Sequence, residues 1–447
     1  MHTRPILLAL AVLLVLPGCS RTADAPLPSV RSAGAAPDSL ALADSPEWID
    51  DAVVYELYVR SFTPEGTFRA IIPRLDELQE LGATVLWLMP IHPVGMERKK
   101  GELGSPYAVR DYTAVNPRFG TMEDFRALVD AVHARDMKII IDLVANHTAW
   151  DHAWIEEHPE WYTTDSTGAI IHPEGTDWTD VADLDYSNPE LRAAMRDAMR
   201  FWVEDVGIDG YRCDVAELVP ADFWEGAITE LRQVKPVMML AEAGDPDLHD
   251  VGFDVTYGWH TYHLLKEVWN GAPADTLLGV LEREEAVLPP GAERLRFTTN
   301  HDETAWDATP IELFGGAEGA QAAAVASATM PGLFLLYNGQ EVGDTQQLPL
   351  FEKMTIDWDA NPEMRAFYED LLDRRTAGPA FTEGRFEPID HAASDDVLAF
   401  YRIAAGDTAL VAVNVRDRGV TTELPLLGET AFPPYAWQVE LAGEWAR

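Results

Sequence analysis

Lys138-Ile-Ile-Ile-Asp-Leu-Val144 is a short apolar run that ends in the polar cluster Ala145-Asn146-His147. Ahead of it Phe125, Leu128, Val129 and Val132 recur at helical spacing, and Thr121 precedes Glu123 and Asp124 as an N-cap with acids in the first turn. A helix followed by a short apolar strand is one repeat of a βα chain. Outward from this repeat, from about residue 49, the same alternation gives candidate strands at Ala52–Val59, Thr84–Met89, Lys138–Val144, Gly207–Cys213, Val237–Glu242, Gly252–Val255, Leu295–Thr299 and Leu333–Tyr337. Eight in succession predict a closed α/β architecture, a (β/α)8 barrel of the TIM type, rather than an open sheet. Asn188-Pro189 supplies a cap and then Pro at the first helical position, and Gly82 closes the helix that starts near Ile71.

The barrel is read over residues 48–375 and carries one long excursion, residues 148–187, with Trp150, Trp154, Trp161, Tyr162 and Trp178. A loop of that length at the C-terminal end of a barrel strand is usually functional, although part of its rings must pack its own small core. Beyond it, 376–447 changes to period-two patterning, as in Val397–Ile403 and Thr408–Val415, and reads as a small C-terminal antiparallel β domain.

Length and composition agree with one large barrel plus a minor module: 447 residues, 47% of them hydrophobic. The formal net charge is −42, from 75 acidic against 33 basic residues, and a surface of that sign repels phosphate backbones, so no nucleic-acid partner is expected. The charge fits either a high-salt habitat, where repulsion is screened, or an ordinary acidic secreted protein. Arg4, the apolar run Ile6 to Leu16 and then Pro17-Gly18-Cys19 form a short basic start, an h-region and a small residue before Cys. This run is too short to span a bilayer. The segment resembles a bacterial lipoprotein signal, from which Pro17 departs. It implies a signal peptide over 1–18, an acylated Cys19 anchoring an exported protein to the membrane on its periplasmic or cell-surface side, and a flexible tether over 19–47. Cys213 is the other cysteine, which leaves no intramolecular disulfide once Cys19 is acylated.

Functional side chains of a barrel gather where strands end and βα loops begin. Four such ends carry dense polar clusters: Asp142-Leu-Val-Ala-Asn146-His147, Asp209-Gly-Tyr-Arg212-Cys-Asp214, Ala241-Glu242-Ala243 and Asn300-His301-Asp302. Three carboxylates, from the fourth, fifth and seventh strands, would converge over the barrel mouth. In this order the clusters resemble the α-amylase family of glycoside hydrolases. The resemblance runs from about Trp48 to Leu441 and includes Ser105-Pro-Tyr107-Ala-Val-Arg-Asp111-Tyr112, Asp183-Leu-Asp185 and Pro331–Gly343.

That resemblance implies a retaining α-glycosidase acting on α-1,4-linked glucans or maltooligosaccharides. Asp214 is then the nucleophile, Glu242 the acid/base and Asp302 the clamp on sugar hydroxyls. For acid work Glu242 must keep a proton above the range of a free Glu. His147 and His301 correspond to hydrogen-bond donors to the sugar, Tyr107 to the ring beneath it, and Asp142 to a support for Arg212, whose partner is expected to be Asp214. No cofactor is needed for the chemistry. Asn146 corresponds to a structural calcium ligand, and because calcium takes six to eight oxygens it would need carboxylates such as Asp177, Asp180 or Asp183. The family's Lys-His pair after the nucleophile is replaced by Ala216-Glu217-Leu218, which removes a carbonyl that often binds that calcium. Branch features are mixed: the Asp214-Val-Ala stretch is similar to cyclomaltodextrinases and neopullulanases, and Trp154–Tyr162 to α-glucosidases. A glucanotransferase or trehalose-forming isomerase would use the same residues, and a non-catalytic glucan-binding lipoprotein would have to lack one of the carboxylates.

Overall fold

The computed structural model describes residues 45–443. The signal segment, Cys19 and the tether up to residue 44 lie outside the described residues. Eight parallel strands close a barrel: β1 Val53–Leu57, β2 Val85–Leu88, β3 Lys138–Leu143, β4 Gly210–Cys213, β5 Met238–Ala241, β6 Val255–Tyr257, β7 Glu293–Arg296 and β8 Leu333–Tyr337. β1 closes the ring by pairing with both β2 and β8. The (β/α)8 barrel read from the sequence is therefore present. Several strands are shorter than their apolar runs, because their ends turn into loops or short helices. The sixth moved: Gly252 caps the 3-10 helix Pro246–Val251 in the left-handed region (φ 108°), so pairing begins only at Val255.

Period-two alternation sorts the strand side chains into two cores. Val54, Val85, Trp87, Ile140, Leu240 and Leu335 fill the barrel interior. Their neighbours Val53, Leu86, Ile139, Ile141 and Met239 pack outward against the helices. Two residues beyond Val54, Ile140 and Leu240 on the same faces come Glu56, Asp142 and Glu242, so all three face inward at the C-terminal mouth. The register seats Asp142 beside Arg212 and Arg212 beside Leu240.

The helices start as their sequences dictate. Thr121 and Asp124 form a reciprocal capping box for Met122–His133, and Asn188 accepts from the N–H groups of Glu190 and Leu191. The excursion after β3 folds around a small antiparallel pair, His147–Ala149 with Val181–Asp183. Its aromatic rings largely pack one another: Trp154 meets Trp161 edge-on at 5.0 Å, and His158 stacks on Trp161 at 4.0 Å. After the helix Pro362–Thr376, four antiparallel strands (Arg385–Pro388, Val397–Ala404, Asp407–Asn414, Trp437–Gly443) and a two-stranded ribbon (Val420–Leu424, Gly428–Phe432) form the C-terminal β module.

Candidate active site

Arg212 is the centre of the barrel mouth. Its guanidinium is fully buried, with Nη1 donating to Asp142 Oδ1 at 2.9 Å and Oδ2 at 3.1 Å and to Asp214 Oδ1 at 2.9 Å. Nη2 lies 2.9 Å from Glu242 Oε1, and Nε donates to the Tyr257 hydroxyl at 3.3 Å. Burial alone would favour loss of its proton; Asp142 and Glu242 outweigh that and hold its pKa above the ordinary arginine value. Arg212 meets Asp214 as expected, but not Asp214 alone: Glu242 follows the neighbouring strand on the same inward face, so one guanidinium is shared among three carboxylates.

The carboxylates differ in surroundings. Asp214 is pushed well above the usual carboxylate range, first by burial and then by the charge of Glu242, against the pull of Arg212. Glu242 Oε2 accepts from the backbone N–H of Val215 at 2.8 Å. Val215 adopts left-handed backbone (φ 37°), rare for a β-branched residue and costing on the order of 1–3 kcal/mol, which aims that N–H at Glu242. Asp302, about a third exposed, lies 3.2 Å from His301 Nε2; burial raises its pKa, but His301 outweighs this and holds it below the usual range.

Tyr107 joins the groups. Its hydroxyl lies 2.6 Å from His301 Nε2 and 3.2 Å from Asp142 Oδ2. His147 is buried, which pulls its pKa down to about 4, and its Nδ1 accepts from Asn146 Nδ2 at 3.2 Å. Thus Asp142, Arg212, Asp214, Glu242, His301, Asp302 and Tyr107 form one contiguous polar cluster, with His147 at its edge against the Trp178 ring, 5.6 Å away.

The oxygens expected to hold calcium are not gathered. Asn146 is engaged with His147, and its carbonyl accepts from Leu184 N–H at 3.2 Å. Asp183 lies opposite His147 in the excursion's strand pair. The buried Asp180 carboxylate faces the ammonium of Lys100 at 3.2 Å, and the same ammonium donates to the Asp177 carbonyl at 3.3 Å. Among the described residues no group of three or more His, Cys, Asp or Glu side chains is placed to hold a metal. These residues do not fit a calcium ion, whose oxygens would here face a positive side chain. Lys100 belongs to a loop that also holds the excursion through Met96 N–H to Asp151 at 3.0 Å and Arg98 over Trp150 at 3.7 Å.

Four further residues at the mouth escaped the sequence reading. Glu56, next to last in β1, is fully buried and bonds His301 Nδ1; a lone carboxylate near the end of an apolar strand run is the available signal. Tyr257 contacts Arg212, and Val215 positions Glu242, a backbone effect that carries no residue signature. Trp306, 66% exposed, lies beside Asp302 and helps His301 hold that carboxyl's pKa low.

An inward-facing carboxylate set at the C-terminal mouth of a (β/α)8 barrel fits a glycoside hydrolase type of catalytic domain. Residues 36–169 and 170–236 match the α-amylase catalytic domain family. The α-amylase MalA of Haloarcula japonica is 32% identical over 405 residues, covering 86% of this chain and 58% of that protein. An α-1,4-glucan:maltose-1-phosphate maltosyltransferase of Rhodospirillum rubrum is 29% identical over 444 residues, covering 88% of this chain and 62% of that protein. The crystal structure of an α-amylase from Lactobacillus plantarum superposes with a TM-score of 0.80 at 28% identity, covering 88% of this chain and 99% of the other. The chain belongs to the α-amylase family. It spans about six-tenths of the length of the two curated relatives.

Removing the Lys100 ammonium leaves Asp180 buried without its cation, at a cost of about 1–3 kcal/mol. Lys100→Met is expected to lower the thermal midpoint and to speed proteolytic cleavage within residues 148–187. If melting and cleavage both match wild type, the excursion is held by its other contacts.

Proposed function

We propose that this chain is a retaining α-glycosidase that cleaves α-1,4-glucosidic bonds in starch-derived glucans or maltooligosaccharides. The observation that carries the reading is that the two carboxylates of the proposed reaction, Asp214 and Glu242, each lie 2.9 Å from one guanidinium. Retaining enzymes keep their two carboxyls about 5–5.5 Å apart and inverting enzymes about 6.5–9.5 Å, and a shared guanidinium favours the shorter spacing. Relatives named as α-amylase and maltosyltransferase add support, since both names describe α-glucan chemistry.

In this reading Asp214 attacks the anomeric carbon and forms a glycosyl ester as the bond to the leaving oxygen breaks. Glu242, acting as the acid, donates a proton to that oxygen. Glu242, now a carboxylate, takes a proton from water, whose oxygen attacks the anomeric carbon and releases Asp214. Arg212 stays protonated throughout and lowers the cost of a charged Asp214. Asp302 grips sugar hydroxyls, and His147 and His301 line the same subsite with Tyr107. Transfer to a sugar instead of water would use the same groups.

The test is product analysis from maltoheptaose, cyclodextrin and pullulan, with Asp214→Asn as control. Short maltooligosaccharides of retained anomeric configuration are expected, and the variant should lose activity on the order of 10⁴-fold or more while keeping its fold. Products longer than the substrate would assign transfer, and a variant with a tenth of wild-type activity would remove Asp214 from the nucleophile's role.

Glu242→Gln should cripple cleavage of maltooligosaccharides, whose leaving group needs a proton. It should spare much of the glycosylation step with α-glucosyl fluoride, which departs without an acid. Equal losses on both substrates would move the acid role to another carboxylate.

The N-terminal resemblance adds a proposed location: export and a lipid anchor at Cys19. The wild type is expected to partition into detergent and Cys19→Ser into the aqueous phase, with unchanged activity on short maltodextrins. A wild-type protein found wholly in the aqueous phase would end that assignment.

A further inference from the structure

Glu56 has no task in the proposed cleavage, yet it is a fully buried carboxylate near the end of β1. Its Oε1 is bonded to His301 Nδ1, and among the described residues its Oε2 has no hydrogen-bond partner. Tyr337, paired with Glu56 in the β1–β8 register, likewise has a hydroxyl without a partner. A charged carboxylate with one bare oxygen in a protein interior is costly unless a cation lies against it. The nearest candidate is the ring of His301.

Proton accounting around that ring leaves little freedom. Burial pushes Asp142 up to about 6, so above that pH it is an ionised acceptor for Arg212 Nη1. Tyr107 has one hydroxyl proton, and Asp142 Oδ2, 3.2 Å away, is the group that can only accept it. The Tyr107 oxygen then accepts from His301 Nε2 across 2.6 Å. At the other nitrogen, Glu56 accepts from Nδ1. Both ring nitrogens therefore carry protons.

We propose that Glu56 is a positioning residue that holds His301 as an imidazolium, so that a fixed positive charge stands between Asp302 and Tyr107 at the sugar-binding end of the barrel. The role in turnover rests on the glycosidase reading above, whereas the charge on the ring does not. The groups that face His301 are Glu56 from β1, Tyr107 from the loop after β2, Asp142 from β3, Arg212 from β4 and Asp302 beside it in the chain, with Tyr337 of β8 behind Glu56. Trp87 meets the ring edge-on at 5.9 Å. Three acids against one permanent cation favour a charged ring. Burial opposes that charge, but Asp302 and Glu56 outweigh it and hold the pKa of His301 well above the ordinary value. The charge is returned to the site, since the imidazolium holds Asp302 ionised and ready to accept from sugar hydroxyls. Two opposed N–H bonds also stop the ring from flipping.

Nitrogen-15 NMR of the imidazole tests this directly, with the His301 signals identified by their loss in His301→Asn. In the wild type both nitrogens are expected to be protonated across about pH 6.5–8, although a free imidazole titrates near 6.5. Glu56→Gln can still accept from Nδ1 through its amide oxygen but carries no charge. Its His301 should lose a proton within that window, because a raised histidine pKa falls when its anionic partner is removed. The alkaline limb of kcat/KM on maltoheptaose should move to lower pH, with a drop of about ten- to a hundredfold at pH 8, the size of loss that follows removal of a carboxylate behind a metal-ligating histidine. A wild-type ring with one bare nitrogen overturns the proposal. So does a Glu56→Gln ring that titrates as wild type does. Should that variant fail to fold, the wild-type spectrum alone decides. A wild type that leaves every glucan intact while its ring is doubly protonated overturns the cleavage reading and leaves the charge on His301 standing.

Discussion

The guanidinium of Arg212 sits fully buried where the fourth strand ends, against Asp142, Asp214 and Glu242 at about bonding distance. Taking one ion out of water costs several kcal/mol even after relaxation, and a barrel mouth that gathers three carboxylates has to offset that cost for each of them. A single cation with planar, forked donors can serve all three at once, which a lysine's point charge cannot. Everything else at the mouth is arranged around that fact. Tyr257 and the face of Trp87, 5.2 Å from the guanidinium carbon, fix its plane, and burial with the charge of Glu242 raises the pKa of Asp214 although Arg212 opposes it.

A second cation completes the balance on the far side of the site. His301, with Glu56 behind it and Asp302 and Tyr107 before it, repeats the same solution with an imidazole in place of a guanidinium. The two positive groups are joined by one hydrogen-bonded chain, running from Glu56 through His301, Tyr107 and Asp142 to Arg212. A third cation, Lys100, acts at the periphery, where the loop after the second strand meets the excursion near Asp180. Each of these acids lies where an acidic chain with few basic residues would otherwise suffer repulsion.

Much of the site was legible because a barrel converts chain position into location. A polar residue at the C-terminal end of an apolar strand run has one place to go, so Asp142, Arg212, Asp214, Glu242 and His301-Asp302 could be assigned to the mouth from their strands alone. Glu56 obeys the same rule, but a lone Glu in Val53-Val-Tyr-Glu-Leu57 carries no cluster around it. The sixth strand was read three residues early because Gly252-Phe253-Asp254 looks like a strand start, while Gly252 is in fact the left-handed cap of the preceding helix.

What the sequence determined by itself was periodicity and order: eight strand runs, their helices, the inward parity of the functional side chains, and the type of chemistry those side chains can support. Which acid meets which base was decided only by closure of the barrel. Arg212 and Asp142 are seventy residues apart, and His301 and Glu56 are 245 apart. Their pairing depends on strand register and on the side-chain conformations that burial selects, and neither leaves a local trace in the chain. The same holds for Lys100 and Asp180, and for the left-handed turn at Val215 that aims an N–H at Glu242. Local pattern is written by backbone geometry, which neighbours in sequence share; charge partnership is written by proximity in the folded state, which they do not.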